Sequence, residues 1–70
     1  MNNQKTADKI ARDNGFDHAK YVGTVTEGMV YLGVNDDRRP TGLPFFIRLN
    51  PDGTVWSDFG FEYINLVKEL

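Results

Sequence analysis

"PFFIRLNPDGTVWSDF", residues 44–59, carries the strongest structural signal in the chain. Two runs rich in aromatic and branched side chains flank Asn50-Pro51-Asp52-Gly53. Proline presets φ inside a type I turn, and glycine accepts the left-handed position after it, so the stretch predicts a hairpin with a glycine bulge. That loop pairs Leu49 with Val55, Arg48 with Trp56, Ile47 with Ser57, Phe46 with Asp58 and Phe45 with Phe59. Side chains alternate across a strand. Phe45, Ile47, Leu49, Val55 and Phe59 therefore share an apolar face, and Phe46, Arg48 and Trp56 a mixed one.

Upstream, "KYVGTVTEGMVYLGV", residues 20–34, reads as a second hairpin turning at Glu27-Gly28. This turn pairs Val25 with Val30, Gly23 with Leu32 and Tyr21 with Val34. One face then collects Tyr21, Val25, Val30, Leu32 and Val34; the other collects Val22, Thr24, Thr26, Met29 and Tyr31. So clean a split marks half-buried strands. Between the hairpins, Asn35–Leu43 is a polar crossing, stiffened by Pro40 and Pro44 and bent at Gly42.

The ends read as helices. In "NNQKTADKIARDNG", residues 2–15, Ala7, Ile10 and Ala11 fall on one narrow stripe. Asn3 or Thr6 serves as N-cap and Asn14-Gly15 is the stop. So narrow a stripe predicts light docking. In "FGFEYINLVKEL", residues 59–70, Phe61, Ile64, Val67 and Leu70 approach helical spacing. Glu62 and Lys68 suit the helix dipole. The β-branched middle also suits a strand, and a helix is the favoured reading. The expected architecture is a small single α+β domain of order α-β-β-β-β-α, residues 1–70. Its antiparallel sheet has four strands, with a meander as first choice. The C-terminal helix packs on the apolar sheet face.

Seventy residues make one thin-cored domain. Without cysteine there is no disulfide and no thiolate metal cluster. The five Phe, three Tyr and one Trp must supply most of the burial. A net charge of −2 disfavours duplex nucleic acid. "MNNQKTADK" has no secretory character, "VKEL" resembles a retention signal only loosely, and no run suits a membrane span, so cytoplasmic residence is expected.

Catalytic inventories are poor. The single histidine, His18, and single serine, Ser57, have no third orienting partner in view. Ser57 is expected to face the core and His18 to lie in a loop. Asp36-Asp37 lacks calcium-loop spacing and is neutralised by Arg38-Arg39. Asp58 beside aromatics is a weak acid–base candidate, and no phosphate loop is present. Neither enzyme activity nor cofactor nor metal is expected.

The remaining candidate is a surface. If the hairpins lie side by side, Met29, Tyr31, Phe46, Arg48 and Trp56 cluster on the outer sheet face, rimmed by Arg38 and Arg39. Arg48 opposite Trp56 invites a cation–π contact. Such residues are enriched at interface centres, so the expectation is a non-enzymatic interaction module, self-associating or binding a protein partner. The alternative is single-stranded nucleic acid stacking on Tyr31, Phe46 and Trp56, with arginines meeting phosphate.

Overall fold

The computed structural model of the chain describes residues 3–36 and 42–67. They form a helix α1 (Asn3–Asp13), four strands and a one-turn 3₁₀ helix (Ile64–Leu66). The strands are β1 (His18–Val25), β2 (Gly28–Val34), β3 (Phe45–Leu49) and β4 (Val55–Phe59). They form a four-stranded antiparallel sheet of order β1-β2-β3-β4, the meander expected of sequential neighbours. Among the described residues no helix is long and apolar enough to cross a membrane.

The β3–β4 hairpin follows its turn chemistry. Phe45 pairs with Phe59, Phe46 with Asp58, Ile47 with Ser57, Arg48 with Trp56 and Leu49 with Val55. Gly53 has φ 88°, and its N–H donates to Asn50 O at 3.0 Å. Thr54 closes the loop by donating from Oγ1 and N to Asp52 Oδ1 at 2.6 and 3.0 Å. The Thr54 hydroxyl, aided by its N–H, holds the Asp52 carboxyl below the usual range.

The β1–β2 hairpin departs from expectation. Its turn residues are Thr26 and Glu27, and Gly28 opens β2 opposite Val25. A bulge between Tyr21 and Gly23 then shifts the register, so Tyr21 faces Tyr31 rather than Val34. An extra residue in one strand exchanges the faces of everything beyond it. Tyr21 thereby joins Tyr31, their rings edge-on at 5.5 Å, and Val22 packs with Val30 and Leu32.

The join between hairpins decides the architecture. Tyr31 pairs with Ile47 and Leu32 with Phe46. The apolar face of the second hairpin therefore lies with the mixed face of the first, and the reverse holds below. Each side of the sheet becomes a core. One gathers Ala7, Ala11, Ala19, Tyr31, Phe45 and Ile47; the other gathers Val30, Leu32 and Phe46. A sheet with both faces part-covered removes more apolar surface from water than one with a single oily side.

Helix α1 covers the first core, packing on β1, β2 and β3. Ala7 and Ala11 are fully buried. These small side chains bring the helix close to the large rings of the sheet, so a narrow stripe suffices. The helix ends in a Schellman motif: Phe16 N donates to Ala11 O at 3.0 Å and Gly15 N to Arg12 O at 3.1 Å. Gly15 takes φ 91°, and Phe16 folds back to stack on Phe45 with centroids 5.3 Å apart. Thr6, one of the two expected caps, lies inside the helix.

Helix α1 also closes one sheet edge. The Ala19 N–H donates to Asp8 Oδ1 at 2.9 Å, and Gln4 Nε2 donates to Ala19 O at 2.6 Å and to Asp8 Oδ1 at 2.9 Å. The Ala19 N–H foremost, then Gln4, holds the Asp8 carboxyl below its ordinary value of 3.8. A carboxyl lowered in the folded state stabilises above the unfolded value, and the contribution is lost as pH falls through the folded one. Asp8→Ala is expected to cost about 1–2 kcal/mol at neutral pH. That difference from wild type should shrink in urea unfolding repeated in strong acid. An unchanged difference would mean that the carboxylate's charge plays no part.

The C-terminal segment corrects the expected helix. Ile64 N bonds to Phe61 O, Leu66 N to Tyr63 O and Val67 N to Ile64 O, at 3.2, 3.0 and 3.0 Å. These are i→i−3 bonds, and such a turn brings residues three apart onto one side. Tyr63 and Leu66 both pack against the Val30–Leu32–Phe46 core. β-Branched Ile64 and Val67 weaken the competing α-helix. The turn covers the face opposite α1: it lies on Val30 and Leu32, the apolar side of the first hairpin, but not on Phe45 and Ile47, the apolar side of the second, which the expected helix was also to cover. Residues 68–70 lie outside the described residues.

Candidate functional site

Of the five residues expected to form one outer cluster, Phe46, Arg48 and Trp56 share a face, while Met29 and Tyr31 lie on the other. Arg48 and Trp56 are cross-strand neighbours, with the guanidinium carbon 5.2 Å from the indole centroid. Arg48 is further committed: Nε donates to Asn50 Oδ1 at 2.8 Å and Nη1 to Tyr63 Oη at 2.6 Å. The Tyr63 ring stands edge-on to Trp56 at 5.7 Å and to Phe46 at 5.9 Å. Arg48 thus fastens the C-terminal turn to the sheet, and Trp56 is half-buried beside it.

Tyr31 and Phe46 are separated by the sheet itself. Phe46 has no exposed surface in the C-terminal-side core. Tyr31 is 2% exposed in the helix-side core. Its burial, then neighbouring Tyr21 and Asp8, pushes its hydroxyl pKa up. Arg38 and Arg39 lie outside the described residues. Tyr31 lies on the opposite face from Phe46 and Trp56.

The residues weighed for catalysis are also apart. His18 lies in β1 and Ser57 in β4, the two outer strands. His18 Nδ1 is 3.1 Å from Asp36 Oδ1. Ser57 is exposed rather than core-facing, because α1 packs on β1, β2 and β3. Asp58 lies opposite Phe46 as expected, but it is exposed, and its Oδ1 accepts the Phe59 N–H at 2.8 Å. Among the described residues no group of three or more His, Cys, Asp or Glu is placed to hold a metal ion.

The surface that stands out is the β4 margin. Val55 is 46% exposed and Phe59 50% exposed, although both carry the apolar pattern of a core face. Phe61 and Leu43 are more exposed still, at 62% and 51%. The bond from Gly60 N to Pro44 O, 2.9 Å, brings their two segments together at one end of the hairpin. Phe59 is part of an aromatic group with Phe45 and Phe16, at 4.9 and 6.3 Å. The patch therefore extends outward from the helix-side core.

Among the described residues no strand pairs with the outer side of β4. In an antiparallel strand, N–H and C=O of one residue point the same way, alternating along the chain. Asn50 N bonds Thr54 O, and Gly60 N bonds Pro44 O, so even-numbered residues from Thr54 to Gly60 face β3. Val55, Ser57 and Phe59 consequently direct their backbone groups to the free edge. The Asp58 carboxylate occupies the Phe59 N–H. The contrast with β1 is sharp, for that edge is kinked by its bulge and capped at Ala19 by Asp8 and Gln4.

The sequence pattern assigns Val55 and Phe59 to the apolar sheet face and Phe61 to a helical stripe, while Leu43 ends the polar crossing. One signal would have placed them: β4 is last in a meander, and an 11-residue helix is only about 16 Å long. At roughly 4.8 Å between strands, such a helix covers about three of them when laid across a sheet. Comparison with protein-family models, with curated proteins and with solved structures finds no match for this chain.

Proposed function

We propose that this domain is a non-catalytic protein-interaction module whose contact surface is the open edge of β4, with Val55, Phe59, Phe61 and Leu43 around it. One observation carries the reading: the two edges of the same sheet are treated differently. Side chains of α1 occupy both backbone groups of Ala19 in β1, whereas among the described residues the β4 edge is met only by the Asp58 carboxylate at the Phe59 N–H and runs beside exposed apolar side chains. Proteins ordinarily blunt such edges, because unpaired strand groups template pairing with another chain. A strand added there gains main-chain hydrogen bonds, and side-chain packing supplies selectivity. The outer sheet face expected to serve this role is occupied by the Tyr63 turn, so the surface lies at the margin. Arg48 and Trp56 border it and hold β4 in shape.

The test is selection from a library of displayed extended peptides, followed by amide mapping of a selected peptide on the labelled domain. Bound peptide should perturb and protect the Val55 and Ser57 amides while leaving Ala19 unaffected. If peptides bind only elsewhere, or none binds, the reading fails.

A further inference from the structure

Resting on that reading, we infer that the strand received by β4 is β4 of a second copy, joined antiparallel about a two-fold axis at Ser57.

The argument is one of self-complementarity. A two-fold contact must mate a surface with itself. β4 runs Val55-Trp56-Ser57-Asp58-Phe59, with Ser57 at its centre and an apolar residue at each end. A two-fold axis at Ser57 sets Ser57 against the partner's Ser57 and Val55 against the partner's Phe59. These are the residues whose backbone groups face outward. Each such pair is of the type that exchanges both N–H···O bonds. Centring the axis on Val55 or Phe59 instead leaves part of either strand unpaired.

Side chains agree on both faces. On the helix side, Val55 meets the partner's Phe59 at both ends, and directly opposed apolar pairs of this kind stabilise a sheet. On the other side, Asp58 lies opposite the partner's Trp56, over which the partner's Arg48 guanidinium rests. The Phe59 N–H must be released for the new ladder, and the Asp58 carboxylate that held it then faces a cation. The only acid on this edge thus has an opposite charge awaiting it in the dimer.

The area sets the strength. Val55, Phe59 and Phe61 expose on the order of 300 Å² of apolar surface per subunit, given about 150–250 Å² for a whole aromatic side chain. With the edge backbone included, the contact stays below about 1,200 Å² in total, in the class of weak and transient associations. A weak association, with a dissociation constant in the micromolar range or above, is expected of a contact in that class.

Sedimentation equilibrium on the full chain from about 5 μM to about 1 mM should show monomer passing to dimer, and no larger species, with a dissociation constant in that range. Amide exchange gives the register. Val55 and Ser57 should exchange rapidly when dilute and slowly when concentrated, while Trp56 and Asp58 remain protected throughout. Ser57→Pro removes an outward N–H without touching the β3 ladder, a position where an edge strand tolerates proline. It should stay folded and lose dimerisation by at least about tenfold. If Ser57→Pro does not fold, Phe59→Lys makes the same test at a half-exposed side chain. A wild-type chain still monomeric near 1 mM overturns the inference, as does a dimer indifferent to these substitutions. Should the chain stay monomeric while a selected peptide protects Val55 and Ser57, only the second copy is excluded. Should neither occur, the interaction reading falls as well.

Discussion

Phe46→Ala is expected to unfold the domain. Phe46 has no exposed surface, packs with Val30 and Leu32, and receives the edge of Tyr63 at 5.9 Å. Truncating a buried phenylalanine costs about 3–5 kcal/mol. A core of this size rarely supplies more than about 3–5 kcal/mol of net stability, so the loss consumes most or all of it. Circular dichroism at 25 °C should show the sheet signal gone or the thermal transition displaced far downward. Phe46→Leu keeps most of the volume and should remain folded, with a loss of about 1–2 kcal/mol. This substitution also separates two ways of joining the same hairpins. Were Phe46 on an outer face, alanine there would scarcely alter the unfolding midpoint. A cooperative transition within a few degrees of wild type would therefore refute the two-sided core.

Gly28→Ala is the second large effect, and its cause is space rather than backbone freedom. Gly28 does not take positive φ. It is buried where β2 begins, and a Cβ there would be driven into the Leu49 carbonyl, with the Leu49 carbon at 2.9 Å and Asn50 Cα at 3.1 Å. The obstacle is main chain, so no side-chain rotation relieves it. Either Met29 separates from Leu49 or the 50–53 turn shifts. Overpacking of this kind costs about 1–3 kcal/mol and occasionally more. Gly53→Ala is the control: it meets nothing within 4 Å, and its penalty comes from a φ of 88°. That penalty is about 1–2 kcal/mol, partly offset because alanine also narrows the unfolded ensemble. Urea midpoints should fall further for Gly28→Ala than for Gly53→Ala. The reverse order would mean that β2 and β3 have room to spare at this point.

These two glycines show what kind of information each part of the sequence holds. Gly53 was legible because its role is local: four consecutive residues define the turn, and the turn defines every pair along β3 and β4. The Arg48–Trp56 contact was legible for the same reason. Gly28 was read as a turn residue, since nothing near it in sequence reveals that the Leu49 carbonyl, from a different hairpin, will lie against it. Tyr21 was misplaced because one bulged residue beside it, between Tyr21 and Gly23, reverses its face. Val55 and Phe59 carry a core pattern and nevertheless remain half-exposed, because α1 packs on β1, β2 and β3. The expected C-terminal helix yields to a single turn, since Tyr63 must reach Arg48 and stand on Phe46.

By itself the sequence determined the helix with its Asn14-Gly15 stop, the antiparallel strands, the register of the second hairpin, and a chain without thiol chemistry. Tertiary structure alone decided which face of one hairpin joins which face of the other, and hence which aromatics are buried and which edge is open. The reason is physical. Alternation sorts side chains relative to their own strand, but moving β3 by one residue along β2 inverts that relation without changing any local preference. Only the simultaneous packing of Phe46 beneath Tyr63, Phe45 beneath α1, and Gly28 against Leu49 separates the two arrangements.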